Sequence, residues 1–394
     1  MTTNRRVRTP ALSGRASFVL TRLRLPSGAL AAGRVVSSSK EVVANPAVAL
    51  DAAGNATVVW AQAGRTIRIM GAHRRSGATF GLPFEIGRTT AFNGARPAIA
   101  VAPDGAATVV WNGGRRIQVA RRPGGRCRTD RPRGCFDEPQ PLTRGTDHTI
   151  ALSRDGSAFV LWAATVRRSS GAGSALRLAV APPGELFGPA RAIPSPGEAS
   201  QPSLAIAPNG DAIMAWRASP PTGGEQNVDA PILASRRTAA GVLSATQVVS
   251  RLPGSAPQVR ANSQSEATLV WNQRNPTPQN PDGPEVAVSE ARAPGAGFEA
   301  PVRLSPAGVA AGSVSLAIGA AGTGIAAYSA ALPRQFATPP LAVVHVMAPG
   351  AGFGAPQSLG ADFSGAFVFA AGARLTVASG GSGRRTLISD HAGG

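Results

Sequence analysis

Short apolar runs, each cut off by a turn of Gly, Pro, Asn or Asp, recur along the whole chain. Pro97–Trp111, PAIAVAPDGAATVVW, shows the unit most plainly. Ala98 to Val101 is apolar throughout, as in a strand covered on both faces. Pro103-Asp104-Gly105 is a tight turn: Pro presets φ, Asp follows it, and Gly takes a positive φ without steric cost. Thr108-Val109-Val110-Trp111 is β-branched and aromatic and reads as a second strand. Pro97 is expected at a strand's first residue, where a missing N–H is tolerated.

The register repeats. Gly54, Gly105, Gly156 and Gly210 each precede a tryptophan (Trp60, Trp111, Trp162, Trp216) by six positions. Ser265 stands so to Trp271, Gly322 to Tyr328 and Gly372 to Ala378. A Gly-rich turn with a Phe lies between the third and fourth strand signals, as at Gly77–Gly81, Gly184–Gly188, Gly295–Phe298 and Gly350–Gly354. The Phe is expected to pack between neighbouring sheets. A fixed core with variable spacing outside it marks a repeat array with loop insertions.

Six full repeats of four strand signals fall at 45–88, 96–143, 147–194, 201–251, 256–305 and 313–359. Residues 17–38 match only the second half of a repeat, and 363–379 only the first half. Four-stranded units of about 50 residues read as propeller blades. The expected fold is therefore all-β, a seven-bladed β-propeller closed by pairing of N-terminal and C-terminal strands. In it Ala16–Arg24 lies beside Leu375–Ser379. Residues 1–16 read as a disordered basic tail, and 380–394 as a tail or edge strand.

Composition changes this picture little. Gly 47 and Pro 34 are high, yet 43% of residues are hydrophobic and gathered in strand-length runs, so the chain is not disordered. No apolar run is long enough to span a membrane as a helix. The formal charge of +19 is almost wholly arginine, Lys40 being the only lysine. Cys127 and Cys135 end the loop CRTDRPRGC, which a disulfide would close in an oxidising compartment; two free thiols in an insertion are the alternative. No secretory h-region follows the basic start. The expected location is secreted or cell envelope with the natural start upstream, the alternative being cytoplasmic.

The blade pattern resembles the sialidase-like and BNR-type β-propeller repeat proteins of secreted bacterial type, over nearly the whole chain. The resemblance implies an Asp box, S-x-D-x-G-x-x-W, between third and fourth strands. Here that place holds PGAGF at Pro294–Phe298 and Pro349–Phe353, with neither Ser nor Asp. It also implies a Tyr nucleophile, but the one tyrosine, Tyr328, holds the repeat's Trp position and reads as core. The resemblance supports a fold more than an activity.

No metal-ligand spacing, phosphate loop, dinucleotide fingerprint or nucleophile elbow is present, so no metal and no cofactor is expected. Two faces offer candidate sites. The second-to-third and fourth-to-first connections share one face, whose later loops are long. These carry Arg168, Arg217, Glu225, Asp229, Arg274, Asp282 and Arg334, with Glu285 beside Asp282 as a second loop carboxylate. The opposite face gathers paired arginines in equivalent turns, Arg74-Arg75, Arg121-Arg122 and Arg236-Arg237, as anion-binding candidates. The expected activity is that of a non-enzymatic, monomeric binding module for a glycan, cell-envelope polymer or protein. Aromatic residues do not interleave with these arginines, which argues against single-stranded nucleic acid. The rival readings are a divergent glycan-active enzyme and an anionic-polymer-binding surface protein. A cluster of carboxylates meeting at the central channel would favour the enzyme.

Overall fold

The structure is a computed structural model that describes residues 2–6, 15–21, 34–37, 41–64, 66–90, 94–125, 132–168, 171–220, 230–274, 284–319, 322–331, 341–358, 366–371, 374–380 and 386–392. Among the described residues there is no α-helix, and the only helical element is a single 3-10 turn at Pro132–Cys135. The chain forms two compact units, Met1–Thr165 with Arg177–Ala192, and Val166–Leu176 with Ile193–Gly394.

Each of the six repeats folds as a four-stranded antiparallel sheet in up-and-down order. The first sheet takes Val42–Leu50, Ala56–Ala63, Ile67–Arg74 and Phe84–Thr89. The second takes Ala98–Val101, Ala107–Asn112, Ile117–Arg122 and Gln140–Pro141. The third begins with Gly145–Leu152 and Ala158–Arg168. The fourth takes Glu198–Ile206, Ala212–Ser219, Ile232–Arg237 and Gln247–Ser250. The fifth takes Gly254–Ala261, Ala267–Arg274, Pro284–Ala291 and Val302–Arg303. The sixth takes Ala310–Ile318, Gly324–Ala331, Leu341–Met347 and Gln357–Ser358. Most last strands are very short, which blunts the open sheet edge.

The second-strand aromatics form the core. Trp60, Trp111, Trp162, Trp216, Trp271 and Tyr328 are all fully buried. Two of them show the bridge between sheets most plainly: Trp111 packs among Val59, Ile69 and Ile86 of the first sheet, and Trp271 among Ile232, Ala234 and Val249 of the fourth. The expected Phe contacts hold too. Phe187 and Phe298 are buried, and a glutamine side chain clamps the backbone of each. Gln140 donates to the Phe187 carbonyl at 3.0 Å and accepts from its N–H at 2.9 Å; Gln247 does the same for Phe298 at 2.7 and 2.9 Å. In the first-to-second-strand turn the glycines have φ of 77–87°, and Ser265 takes that place with φ 62°.

One expectation is corrected and another is not shown. Pro97 stands one residue ahead of its strand, Ala98–Val101, but the prolines of three other sheets do not open theirs. In the first, fourth and fifth sheets the strand runs on ahead of Pro46, Pro202 and Pro257, through a bulge whose residue has a positive φ: Asn45 52°, Gln201 51° and Ala256 50°. Asp147 and Ser313 repeat this before His148 and Val314. The bulge interrupts the ladder, so proline's missing N–H falls where none is needed.

The closing pairing is also absent among the described ladders. Arg15–Thr21 pairs with Thr2–Arg6 and Arg34–Val35, and Arg374–Gly380 pairs with Ala366–Ala371 and Thr386–Ala392. Each terminus thus fills its own edges with its own chain. A partner a few residues away costs less loop-closure entropy than one at the far end. Thr2–Arg6 and Thr386–Ala392 are the outer strands of these pairings. The cysteine expectation lies partly outside the described residues. Cys135 is disulfide-bonded, and Cys127, the only other cysteine of the sequence, is not described.

Three histidines are held neutral. His345 Nδ1 donates to the Gly354 carbonyl at 2.8 Å, so its Nε2 accepts from the Tyr328 hydroxyl at 3.0 Å. His73 Nδ1 meets Thr57 Oγ1 at 3.1 Å, and that oxygen also accepts from Arg122 at 3.4 Å. His148 Nε2 donates to the Arg96 carbonyl at 2.9 Å. Burial, first of all, holds all three below the ordinary histidine range; Arg122 adds to this at His73.

Two outcomes follow. Trp111→Ala should lower unfolding free energy by about 3–5 kcal/mol, read in urea; a loss under about 1 kcal/mol would contradict the bridging role. The unfolded chain takes up protons that the folded histidines resist, so stability is complete above an ordinary histidine pKa of about 6.5 and falls as pH drops below it. The melting temperature should therefore decline between roughly pH 6.5 and 5, before the carboxylates titrate, and a flat profile there would contradict it.

Candidate binding site

The site starts from one glutamine. In the second strand of the fifth sheet Trp271 and Gln273 stand two apart and share a face. The register sets Trp271 opposite Ala287, Gln273 opposite Glu285, and Ala287 opposite Arg303. Trp271, Gln273, Glu285 and Arg303 are therefore on one face of one sheet.

A proton-donor chain runs across that face. Trp271 Nε1 donates to Gln273 Oε1 at 3.1 Å, and Ser250 Oγ donates to the same oxygen at 3.3 Å. Gln273 Nε2 then donates to Glu285 Oε1 at 2.6 Å. The buried indole fixes which way the amide points, and the amide fixes the carboxylate. The other carboxylate oxygen, Oε2, lies 3.8 Å from Arg303 Nη1, beyond hydrogen-bond reach. Glu285 is only 3% exposed.

These groups open into a cavity of about 440 Å³. Its polar lining is Ser250, Arg251, Gln273, Glu285 and Arg303; its apolar lining is Val249, Leu252 and Pro301. Ser250 to Leu252 belong to a fourth-to-first connection, while Gln273 and Glu285 flank a second-to-third connection. The cavity thus lies at the long-loop end of the sheets.

The first sheet carries the same four groups in another arrangement. Trp60 Nε1 donates to Gln62 Oε1 at 2.8 Å, and Gln62 Nε2 donates to Glu41. Here the residue opposite Gln62 is Arg68, not a glutamate, and Glu41 arrives from just before the first strand. Arg68 Nη2 reaches both Glu41 oxygens, at 2.8 and 2.6 Å. That network is closed on itself. The fifth-sheet network stays open by the gap between Glu285 and Arg303.

The expected long-loop residues are distributed differently. Arg217 donates to the Gly254 carbonyl at 3.1 Å and links the fourth and fifth sheets. Arg274 is exposed next to Gln273. Arg168 ends a strand, and its side chain lies outside the described residues, as do Glu225, Asp229, Asp282 and Arg334. Glu285 is not a solvated loop charge but a buried strand residue. The signal that points to the site is Trp-x-Gln, present at Trp60–Gln62 and Trp271–Gln273 and in no other repeat.

The turn-face arginines are engaged by the protein itself. Arg121 donates to the carbonyls of Pro182 at 2.8 Å, Gly156 at 3.3 Å and Glu185, over the Phe187 ring. Arg122 is buried, donates to Gly105 at 3.1 Å and covers Phe136. Arg236 pairs with Asp211 at 3.3 Å and donates to Ala296. Arg74 lies over Phe80, and Arg237 donates to Thr238 at 3.3 Å. Arg75 alone of the six is exposed.

Two other groups bear on catalysis. Tyr328 and His345 are sealed in the core, and burial pushes the Tyr328 phenol above its ordinary value. The six first strands hold one acidic residue each at most, Asp147 and Glu198. Among the described residues no carboxylates gather there, and no cluster of metal-ligating side chains occurs.

No protein-family model matches the sequence, and no curated protein matches it either. Solved structures do match in fold. A lectin from Burkholderia pseudomallei aligns with a TM-score of 0.57 and 14% identity, over 89% of this chain and 96% of that one. A polysaccharide lyase, the family PL25 ulvan lyase, aligns with a TM-score of 0.54 and 10% identity, over 90% and 94%. The β-propeller domain of the trilobed protease from Pyrococcus furiosus aligns with a TM-score of 0.51 and 7% identity, over 89% and 92%. These likenesses show a β-propeller fold.

Gln273→Ala removes the partner of both the Trp271 N–H and the Glu285 carboxylate. It should destabilise the protein by about 1–3 kcal/mol, measured by chemical unfolding, with Glu285→Gln costing less because an amide still accepts. Equal stability of Gln273→Ala and the parent would show that the chain of hydrogen bonds does not hold the site.

Proposed function

We propose that this protein is a non-catalytic β-propeller module that binds a saccharide, and that the cavity beside Glu285 is its site. One observation carries the reading. The Glu285 carboxylate, fixed from behind by Gln273, and the Arg303 guanidinium form a loose ion pair at a cavity wall, 3.8 Å apart and without a hydrogen bond between them. A sugar's vicinal hydroxyls both donate and accept, so one pair of them bridges such a gap. Leu252, Val249 and Pro301 offer apolar surface to the sugar's C–H face. A volume of about 440 Å³ suits one or two sugar rings.

Two fold neighbours are by their names a lectin and a polysaccharide lyase, and both names fit a carbohydrate ligand. A binding role fits better than hydrolysis. A two-carboxylate glycosidase sets an acid and a base across one pocket, and Glu285 is the single acidic residue of this lining. We propose also that the terminal three-stranded sheets stand for the two halves of a seventh, shared blade, and that the protein works outside the cytoplasm. The disulfide at Cys135 supports the latter.

Titration calorimetry against a saccharide panel tests the site. Binding should weaken at least about tenfold in both Arg303→Ala and Glu285→Gln, and stay unchanged in Arg154→Ala, the size of loss expected when one charged hydrogen bond is removed. Failure of every saccharide to bind, or binding indifferent to both cavity substitutions, would overturn the reading.

A further inference from the structure

Four arginines that the protein leaves exposed lie in the second-to-third and fourth-to-first connections that flank the second sheet. In the first unit, Arg96 precedes the first strand of the second sheet, Arg115 and Arg116 occupy its second-to-third connection, and Arg144 follows its last strand. Backbone hydrogen bonds bring these connections together. Asn112 N–H donates to the Ala95 carbonyl at 3.1 Å, beside Arg96, and Ile117 N–H donates to Thr143 at 3.2 Å, beside Arg144. Gly113 N–H donates to Arg116 at 2.8 Å and tightens the turn that presents Arg115.

All four side chains are exposed. Among the described residues none has an ion pair, whereas Arg88 at the same end is paired with Glu85 at 2.8 Å. The acidic residue nearest in sequence is Asp147, on the next sheet's first strand. No aromatic ring accompanies the four cations: Trp111 and Trp162 are fully buried.

We propose that Arg96, Arg115, Arg116 and Arg144 form a surface that binds an acidic polysaccharide, through its carboxylate or sulfate groups. Guanidinium groups take such planar or tetrahedral oxyanions by paired hydrogen bonds, and four unpaired ones repeat that contact along a polymer. Without stacking platforms the surface suits a sugar chain better than unstacked bases. This surface belongs to the first unit and does not rest on the saccharide reading of the cavity.

The test measures binding of full-length protein to a heparin-type sulfated polysaccharide, a polyuronate, neutral dextran and a duplex DNA, across a salt series. Both acidic polysaccharides should bind with salt-sensitive affinity and dextran should not. Arg115→Ser with Arg116→Ser should lose at least about tenfold and flatten the salt dependence, since each lost contact releases fewer counterions. Arg75→Ser with Arg154→Ser makes the same charge change at the opposite turns and should lose under about twofold. Arg115→Lys with Arg116→Lys keeps the charge without the paired hydrogen bonds, so it should bind more tightly than the serine variant and less tightly than the parent, which excludes misfolding as the cause. Arg303→Ala should leave it unchanged, which separates this surface from the cavity. Equal losses in the two serine variants, tighter binding of duplex DNA, or no binding of either acidic polysaccharide would each overturn the proposal.

Discussion

A large aromatic ring buried between two sheets brings one polar atom with it, and that atom needs a partner. The rest of this structure depends on how the requirement is met. The ring supplies the apolar area that holds neighbouring sheets together, but an unpaired indole N–H in that place costs as much as a lost hydrogen bond. Five of the six repeats meet this requirement, in different ways, while Trp162 Nε1 stays without a hydrogen-bond partner. Trp111 donates to the Arg88 carbonyl at 3.1 Å, Trp216 to Ser195 Oγ at 3.1 Å, and Tyr328 replaces the indole outright and donates to His345. Trp60 and Trp271 each use a glutamine two residues on. Only that solution hands the constraint outward, because an amide that accepts from the ring has an N–H₂ left to place. It is placed on a carboxylate, and a carboxylate near the sheet end calls for a cation. The candidate site is thus a by-product of core packing in two repeats, and it is open in one of them.

Arginine serves two ends in this chain. At the turns, guanidinium groups donate to neighbouring carbonyls and cover the Phe rings, which uses their flat apolar faces as well as their charge. Arg122 does this while buried, and burial holds it below the ordinary arginine value. A lysine, with one compact ammonium, could not span Gly105, Thr57 and the Phe136 ring at once. The sequence marks these pairs as charged and equivalent. Only the coordinates separate an arginine that holds sheets together from one left facing water.

The repeat register was legible because it is local: six residues from turn to Trp, with Gly or a tolerant Ser at the positive φ. The core aromatics, the buried Phe turns and the six sheets follow from that spacing alone. What stayed hidden is non-local. The bulges before Pro46, Pro202 and Pro257 depend on the strand opposite, so a proline that looks like a strand opening is an interruption inside one. Glu285 looked like a loop charge because its neighbours in sequence are loop residues; its partner Gln273 lies across a ladder. Terminal pairing is non-local too. Two half repeats announce that they complement each other, but each end also carries a spare segment that competes for the same edge.

The neighbours in fold span a lectin, a lyase and a protease's propeller domain, which shows how little the sheet arrangement constrains chemistry. Function on such a frame has to be argued from side chains that the frame does not consume. Most conspicuous groups here are consumed: the tyrosine and three histidines by packing, the turn arginines by carbonyls, Glu41 by Arg68. The remainder is small and chemically coherent. One carboxylate and one guanidinium in a loose ion pair beside a cavity, and four exposed arginines without an acid, are what packing leaves over. Neither set offers a nucleophile with an adjacent base.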